Sequence, residues 1–223
     1  MGKSTIKIKH AFTLAETLIT IGIIGVVSAL TIPNLRQNYY EKQTTKKLIS
    51  TYSILTQAIR MAENEYGDVT GWGVDSLTKQ SARKIMEMIS PFLKISLDCG
   101  TNDNSGKCLY NGEYLLLNNE SAGNYATQEV YYKISLNNGS TIWWRGGANQ
   151  GEYIFFFIDT NGKYKPNKWG WDLFGFQYIE NIGLIPAGNP QGIMSDFNCI
   201  NGTSKGYGCA YYVLQNENMN YLH

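Results

Sequence analysis

Residues 12–35 read FTLAETLITIGIIGVVSALTIPNL, and Glu16 is the one charged side chain in the run. As a helix this stretch would reach about 36 Å, enough to cross the hydrocarbon core of a bilayer. Lys3, Lys7 and Lys9 precede it with no acid among them. Such flanks keep the start of a chain in the cytoplasm, so the residues beyond the span are exported. Three ordinary readings compete: a buried core helix, a plain signal anchor, and a cleaved secretory signal with Val27-Ser28-Ala29 as its small-residue site. Glu16 separates them. A carboxylate near the start of an apolar span costs several kcal/mol unless it is paired, and a signal or simple anchor has no use for it. A helix that later packs beside identical helices does, because a neighbour's amino group can neutralise it.

Taken together, Lys7, Lys9, Ala11, Phe12, Thr13, Leu14 and Glu16 resemble the opening of type IV pilins and type II secretion pseudopilins. Those precursors carry a short basic leader, a small residue, then Phe-Thr-Leu-x-Glu at the head of a long apolar helix. Family members usually have Gly before the cut, where this chain has Ala11. Gly22, Gly25 and Pro33 extend the resemblance to about residue 35. It implies cleavage between Ala11 and Phe12 by a prepilin peptidase, and N-methylation of Phe12. It also implies association with pilin subunits through the N-terminal helix and with an inner-membrane assembly platform.

Composition narrows the remaining chemistry. The 223 residues carry a formal net charge of +1, which leaves no basic surface for nucleic acid. His10 and His223 lie near opposite ends, which excludes a His-dependent triad or a multi-His zinc site. At 43% hydrophobic and 17% charged, the chain is too apolar to be disordered. Its 16 Tyr and 23 Gly suggest strands and tight turns.

Beyond the span, Pro33 predicts a kink or loosening near residues 29–33. Leu48, Tyr52, Leu55, Ile59, Ala62 and Tyr66 then recur at helical spacing, with Gly67 as the stop. That stripe reads as a face packed on the protein's own sheet. A second helix is predicted from Ser76 to Leu93, its end helped by Pro91. Strand-like runs come after it at Tyr114–Leu117, Val130–Leu136, Thr141–Arg145, Tyr153–Ile158 and Leu173–Ile179. Turn signals at Asn137-Asn138-Gly139, Gly146-Gly147 and Asn161-Gly162 separate several of them. The expected fold is α+β: a long helix against one face of an antiparallel meander. Its parts are a leader (1–11), a transmembrane helix (12–35), an amphipathic continuation (36–66) and an exported domain (67–223).

Cys99, Cys108, Cys199 and Cys209 match no paired zinc spacing, and export to an oxidising compartment favours disulfides. Three connectivities exist, and local pairing, Cys99 with Cys108 and Cys199 with Cys209, is the simplest. Asp159, Asn161 and Asp172, with Pro166-Asn167 and Gly170 between them, could place oxygen ligands around calcium (Ca2+). The competing and favoured reading is an Asx-stabilised turn between strands. Glu113 and Glu129 have no spacing that argues for a glycosidase pair, and no enzyme is expected. Trp143, Trp144, Trp169 and Trp171 could form a sugar-stacking or adhesive surface. Aromatics on alternating strands are more often core, yet adjacent Trp143 and Trp144 point to opposite faces, which would leave one of them exposed.

Two functions emerge. The first is a pilin-like structural subunit of the bacterial inner membrane that assembles into a type IV pilus or a type II secretion pseudopilus. The alternative is a membrane-anchored or secreted binding domain that never polymerises.

Overall fold

A computed structural model describes residues 13–74, 76–148, 153–193 and 198–223. Helix α1 runs from Leu14 to Tyr66. Its start is a capping box: the Thr13 N–H and hydroxyl both donate to Glu16 Oε2 at 2.8 Å, and the Glu16 N–H donates back to Thr13 Oγ1 at 3.2 Å. It ends where Gly67 adopts φ +81°, a left-handed conformation that costs glycine little. There the Gly67 N–H bonds the Glu63 carbonyl at 2.9 Å and satisfies one orphan acceptor. The helix continues through Pro33 without a break in its assignment. Proline removes one rung of the ladder, and the turns on either side carry the rest.

Contacts divide the chain into a first unit ending at Tyr40 and a second from Glu41 to His223. In the first unit the helix is long and apolar enough to cross a membrane. Its large side chains, among them Leu18, Ile21, Ile24 and Leu30, are exposed. The span's hydroxyls bond backward along their own helix, Thr20 to the Glu16 carbonyl at 2.6 Å and Thr31 to Val27 at 2.8 Å. A polar group satisfied inside its own helix needs no water, which suits a segment in lipid.

In the second unit the same helix buries Leu48, Leu55, Ala58, Ile59 and Ala62. Tyr52 is half-buried and stacks on Phe176 at 5.2 Å, whereas Tyr66 is exposed. The partner is a six-stranded antiparallel sheet. Its strands are β1 (Ile95–Gly100), β4 (Tyr132–Leu136), β5 (Thr141–Ala148), β6 (Tyr153–Asp159), β7 (Leu173–Ile179) and β8 (Gly183–Pro186), adjacent in that order. Two short strands, β2 (Tyr114–Leu115) and β3 (Ser121–Gly123), form a separate ribbon. Helices α2 (Lys79–Ile89) and α3 (Cys209–Asn216) complete the element set, with short 3-10 turns between.

Several boundaries correct the sequence reading. The second helix begins at Lys79 because Thr78 caps it, its hydroxyl accepting from the Ser81 N–H at 3.2 Å. Gly146-Gly147 is not a turn: β5 runs through both residues. A Cβ on Gly146 would lie 2.3 Å from the Ser76 carbonyl oxygen and 2.6 Å from Ser81 Cβ. The glycine is there for close approach to the segment that leads into α2. Tyr114 and Leu115 leave the meander for the separate ribbon, and β1, β3, β8 and α3 are additional.

Adjacent residues of β5 and β6 pack into different cores. Ile142, Trp144, Ile154, Phe156 and Ile158 join the core beneath the three helices. Trp143, Phe155 and Phe157 face a second core with Leu109, Tyr114, Tyr125, Tyr131 and Trp169. The long connection 101–131 therefore covers the sheet's other side, and neither Trp143 nor Trp144 reaches solvent. Trp144 Nε1 donates to the Ala82 carbonyl at 2.8 Å, tying the sheet to α2.

Because both faces are covered, Trp143→Ala and Trp144→Ala should each cost about 3–5 kcal/mol in chemical denaturation. A near-neutral result for either would mean that its face of the sheet is open.

Candidate functional site

Ala11 and Phe12 lie outside the described residues. Glu16 lies at the head of α1, where its carboxylate closes the capping box with Thr13. Sequence reasoning missed this role, although Thr13-x-x-Glu16 is itself the capping-box signature.

Cys99 is joined to Cys108 and Cys199 to Cys209. The first bridge ties β1 to the cover of the second core, and the second ties the loop after β8 to the start of α3. Among the described residues the one cluster with metal-type ligand atoms is Cys99, Asp103 and Cys108. Its sulfurs are bonded to each other and offer no thiolate. Asp103 is instead a loop brace: Oδ2 accepts the Cys108 and Leu109 N–H groups at 2.8 and 2.9 Å, and Oδ1 that of Lys107 at 2.8 Å.

Opposite in charge and alike in use is Lys133. Its side chain is buried, and Nζ donates to the carbonyls of Thr101 at 2.7 Å, Gln128 at 2.8 Å and Tyr131 at 3.2 Å. Burial pushes the ammonium down to about 8. No spacing in the sequence announces Asp103 or Lys133, because their partners are backbone groups.

The loop from Asp159 to Asp172 brings its two acids together at its base, both fully buried. Asp172 Oδ1 accepts the Lys168 N–H at 2.7 Å, and Oδ2 that of Asn167 at 2.8 Å. Asp159 Oδ1 accepts the Asn161 N–H at 3.0 Å, and Oδ2 the Tyr114 hydroxyl at 3.4 Å. Burial, with Asp172 beside it, raises the Asp159 carboxyl well above its ordinary value. Burial likewise raises Asp172, to about 7, against the lowering effect of its Lys168 and Asn167 hydrogen bonds. Asn167 holds φ +53°, and neither end of its buried carboxamide is paired.

Calcium takes six to eight oxygens and prefers ionised carboxylates. Here each oxygen of both acids already accepts an N–H or O–H hydrogen bond, and burial works against the charge on both. The residues fit a braced turn better than a calcium cage.

The other candidates disperse. Glu129 is exposed and pairs with Lys79 at 3.2 Å, while Glu113 accepts from the Ser121 hydroxyl. Trp143, Trp144 and Trp169 are buried and Trp171 is half-buried, so they form no aromatic face for a sugar.

The model of a family of unknown function, DUF6613, matches residues 34–185, and the chain belongs to that family. Type II secretion system core protein G of Escherichia coli (strain K12) is 36% identical over 73 residues, covering 32% of this chain and 50% of that protein. The chain thus spans half the length of the curated relative it matches. No solved structure matches. A long N-terminal helix followed by an antiparallel sheet is a pilin-like layout, in keeping with that partial likeness.

The buried acids set a pH dependence. In the native state Asp172 keeps its proton up to about pH 7, whereas an unfolded Asp loses it near 4. The native state thus binds more protons across that window, and stability falls as pH rises from 4 to 7. Asp172→Asn should flatten the Tm-against-pH curve there, and 1 mM calcium should leave the parent's Tm unchanged. A calcium-dependent rise that Asp172→Ala abolishes would restore the metal reading.

Proposed function

We propose that this chain is a pilin-like structural subunit, held in the bacterial inner membrane by α1 and drawn from there into a type IV pilus or a type II secretion pseudopilus. The likeness to type II secretion system core protein G carries this reading, joined to a helix whose first part is apolar and exposed. Residues 1–11 are the cytoplasmic leader, 12–35 cross the membrane, 36–66 continue the helix and 67–223 form the exported domain. A prepilin peptidase cuts between Ala11 and Phe12 and the new terminus is methylated. The partners are then other pilin subunits and an assembly platform in the inner membrane. The protein works by position and turns nothing over.

Glu16 links the monomer to the assembly. At the head of the helix it lies within reach of the headgroups in a lone subunit. Among packed apolar helices an unpaired carboxylate would be strongly unfavourable. The methylated amine of a neighbour's Phe12 is cationic and can pair with it when the incoming helix is at the right axial height. One buried polar pair then sets register, as in a coiled coil. Thr13 and Glu16 both lie past the cut, so the capping box survives processing.

Intact mass spectrometry of the mature protein should show loss of residues 1–11 and gain of one methyl group. A chain starting at Leu30 would instead establish ordinary secretory cleavage and sink the pilin reading. Glu16→Gln keeps an acceptor for the Thr13 N–H but carries no charge. It should be inserted and cleaved like the parent and, as sole subunit, form no filament. Parent-level assembly would leave Glu16 with the cap as its only role.

A further inference from the structure

The ladder of β6 and β7 has two unlike ends. At one, where Asp159 pairs with Leu173, the connecting loop projects Lys163-Tyr164-Lys165, all exposed, Tyr164 by 68%. This tip is held firmly. Asp159 and Asp172 gather its backbone amides at the base, and Lys47 Nζ of α1 donates to the Thr160 carbonyl at 3.0 Å. Presenting a tyrosine between two lysines on a braced loop offers cationic and aromatic contact at little entropic cost.

At the other end, where Tyr153 pairs with Ile179, α1 and the turn between β7 and β8 enclose an open cavity of about 270 Å³. Tyr52, Arg60, Glu63, Asp68, Tyr178 and Ile182 line it. The Tyr178 hydroxyl lies 2.5 Å from Glu63 Oε1 and 3.5 Å from Asp68 Oδ2. A hydroxyl carries one proton and serves one carboxylate at a time. Asp68 Oδ1 is held separately by the Thr70 N–H at 2.8 Å and hydroxyl at 2.7 Å, which leaves Glu63 and Asp68 Oδ2 facing the cavity around the Tyr178 hydroxyl. Among the described residues, Arg60 forms no ion pair with either acid. Glu180 adds a further exposed carboxylate beside the turn.

Both features belong to the second unit, and their separation can be gauged twice. From Lys47 to Glu63, sixteen residues of α1 rise about 24 Å. From Leu173 to Ile179, six strand steps span about 20 Å. The basic tip and the acidic cavity are therefore at opposite poles.

We propose that the Lys163-Tyr164-Lys165 tip of one copy seats in the Glu63–Asp68–Tyr178 cavity of the next copy. The tip brings ammonium groups to two acids that Arg60, though it lines the cavity, does not pair with. A lysine stem can pass the apolar wall of Tyr52 and Ile182 and keep its ammonium at the carboxylates. Contacts between unlike patches are heterologous, and when the rotation does not close they propagate into an open helical polymer. The inference rests on the filament reading and names a contact within it.

The test uses the full-length chain in cells that assemble it. Tyr164→Cys and Ile182→Cys are exposed positions, and the four native cysteines are paired with one another. The double variant should give a ladder of disulfide-linked oligomers on a non-reducing gel, whereas either single variant gives dimers at most. Lys163→Glu combined with Lys165→Glu should cut filament yield about tenfold, through lost charge complementarity, with Tm unchanged. Parent-level yield from that charge reversal, or filaments with no cross-link beyond dimers, would overturn the contact and leave the filament reading standing. Absence of filaments from the parent would overturn the filament reading and the contact with it.

Discussion

A strand with apolar side chains on both faces has to be covered twice. Trp143 and Trp144 on β5, and Phe155, Phe156 and Phe157 on β6, are consecutive residues that alternate sides and are all buried. The rest of the domain depends on that constraint. One cover comes from α1, α2 and α3, whose backbones satisfy their own hydrogen bonds. The other comes from residues 101–131, which contain only two short strands and must find partners elsewhere.

Buried charges provide those partners. Asp103 gathers three N–H groups and Lys133 three carbonyls, so two buried polar side chains do the work of missing secondary structure. Hydrogen bonds to charged groups contribute about 1.5–3 kcal/mol each, more than neutral ones. Asp159 and Asp172 also gather backbone N–H groups on the loop between β6 and β7, with burial opposing their charge. The Cys99–Cys108 bridge closes a short loop between β1 and the cover, and such a closure contributes about 2–3 kcal/mol. Loops braced at their bases can hold exposed side chains in fixed positions, which is the property a repeating contact surface needs.

Helix α1 serves two environments with one backbone. Through residue 35 it is apolar on all sides, and its threonines turn their hydroxyls onto their own carbonyls. From Glu41 onward one stripe is buried, and most of the exposed positions, Met61 and Tyr66 apart, are polar. The change of pattern within one helix gives a single element one stretch long and apolar enough to cross a membrane and another that packs in the core of the second unit.

Much of this was legible in the residue pattern. The course of α1, the stop at Gly67 and the strands β4 to β7 rest on local rules of periodicity and turn chemistry. Other elements were not legible. β1 alternates poorly because it is an edge with two register shifts, and α3 is a short CAYYVLQN run whose aromatics favour a strand. It is helical because Ala210 and Val213 bury against the helix-side core, with Cys209 bonded to Cys199 and the Tyr211 N–H to the Ala187 carbonyl at 3.1 Å. The sequence alone determined that an apolar helix leads into an α+β domain, because side-chain periodicity is a property of neighbouring residues. Only the tertiary structure decided that the second face of the sheet is closed, that Lys133 is a brace, and that Asp159 and Asp172 meet. Those facts depend on which distant backbone groups a side chain reaches, and no local pattern encodes that.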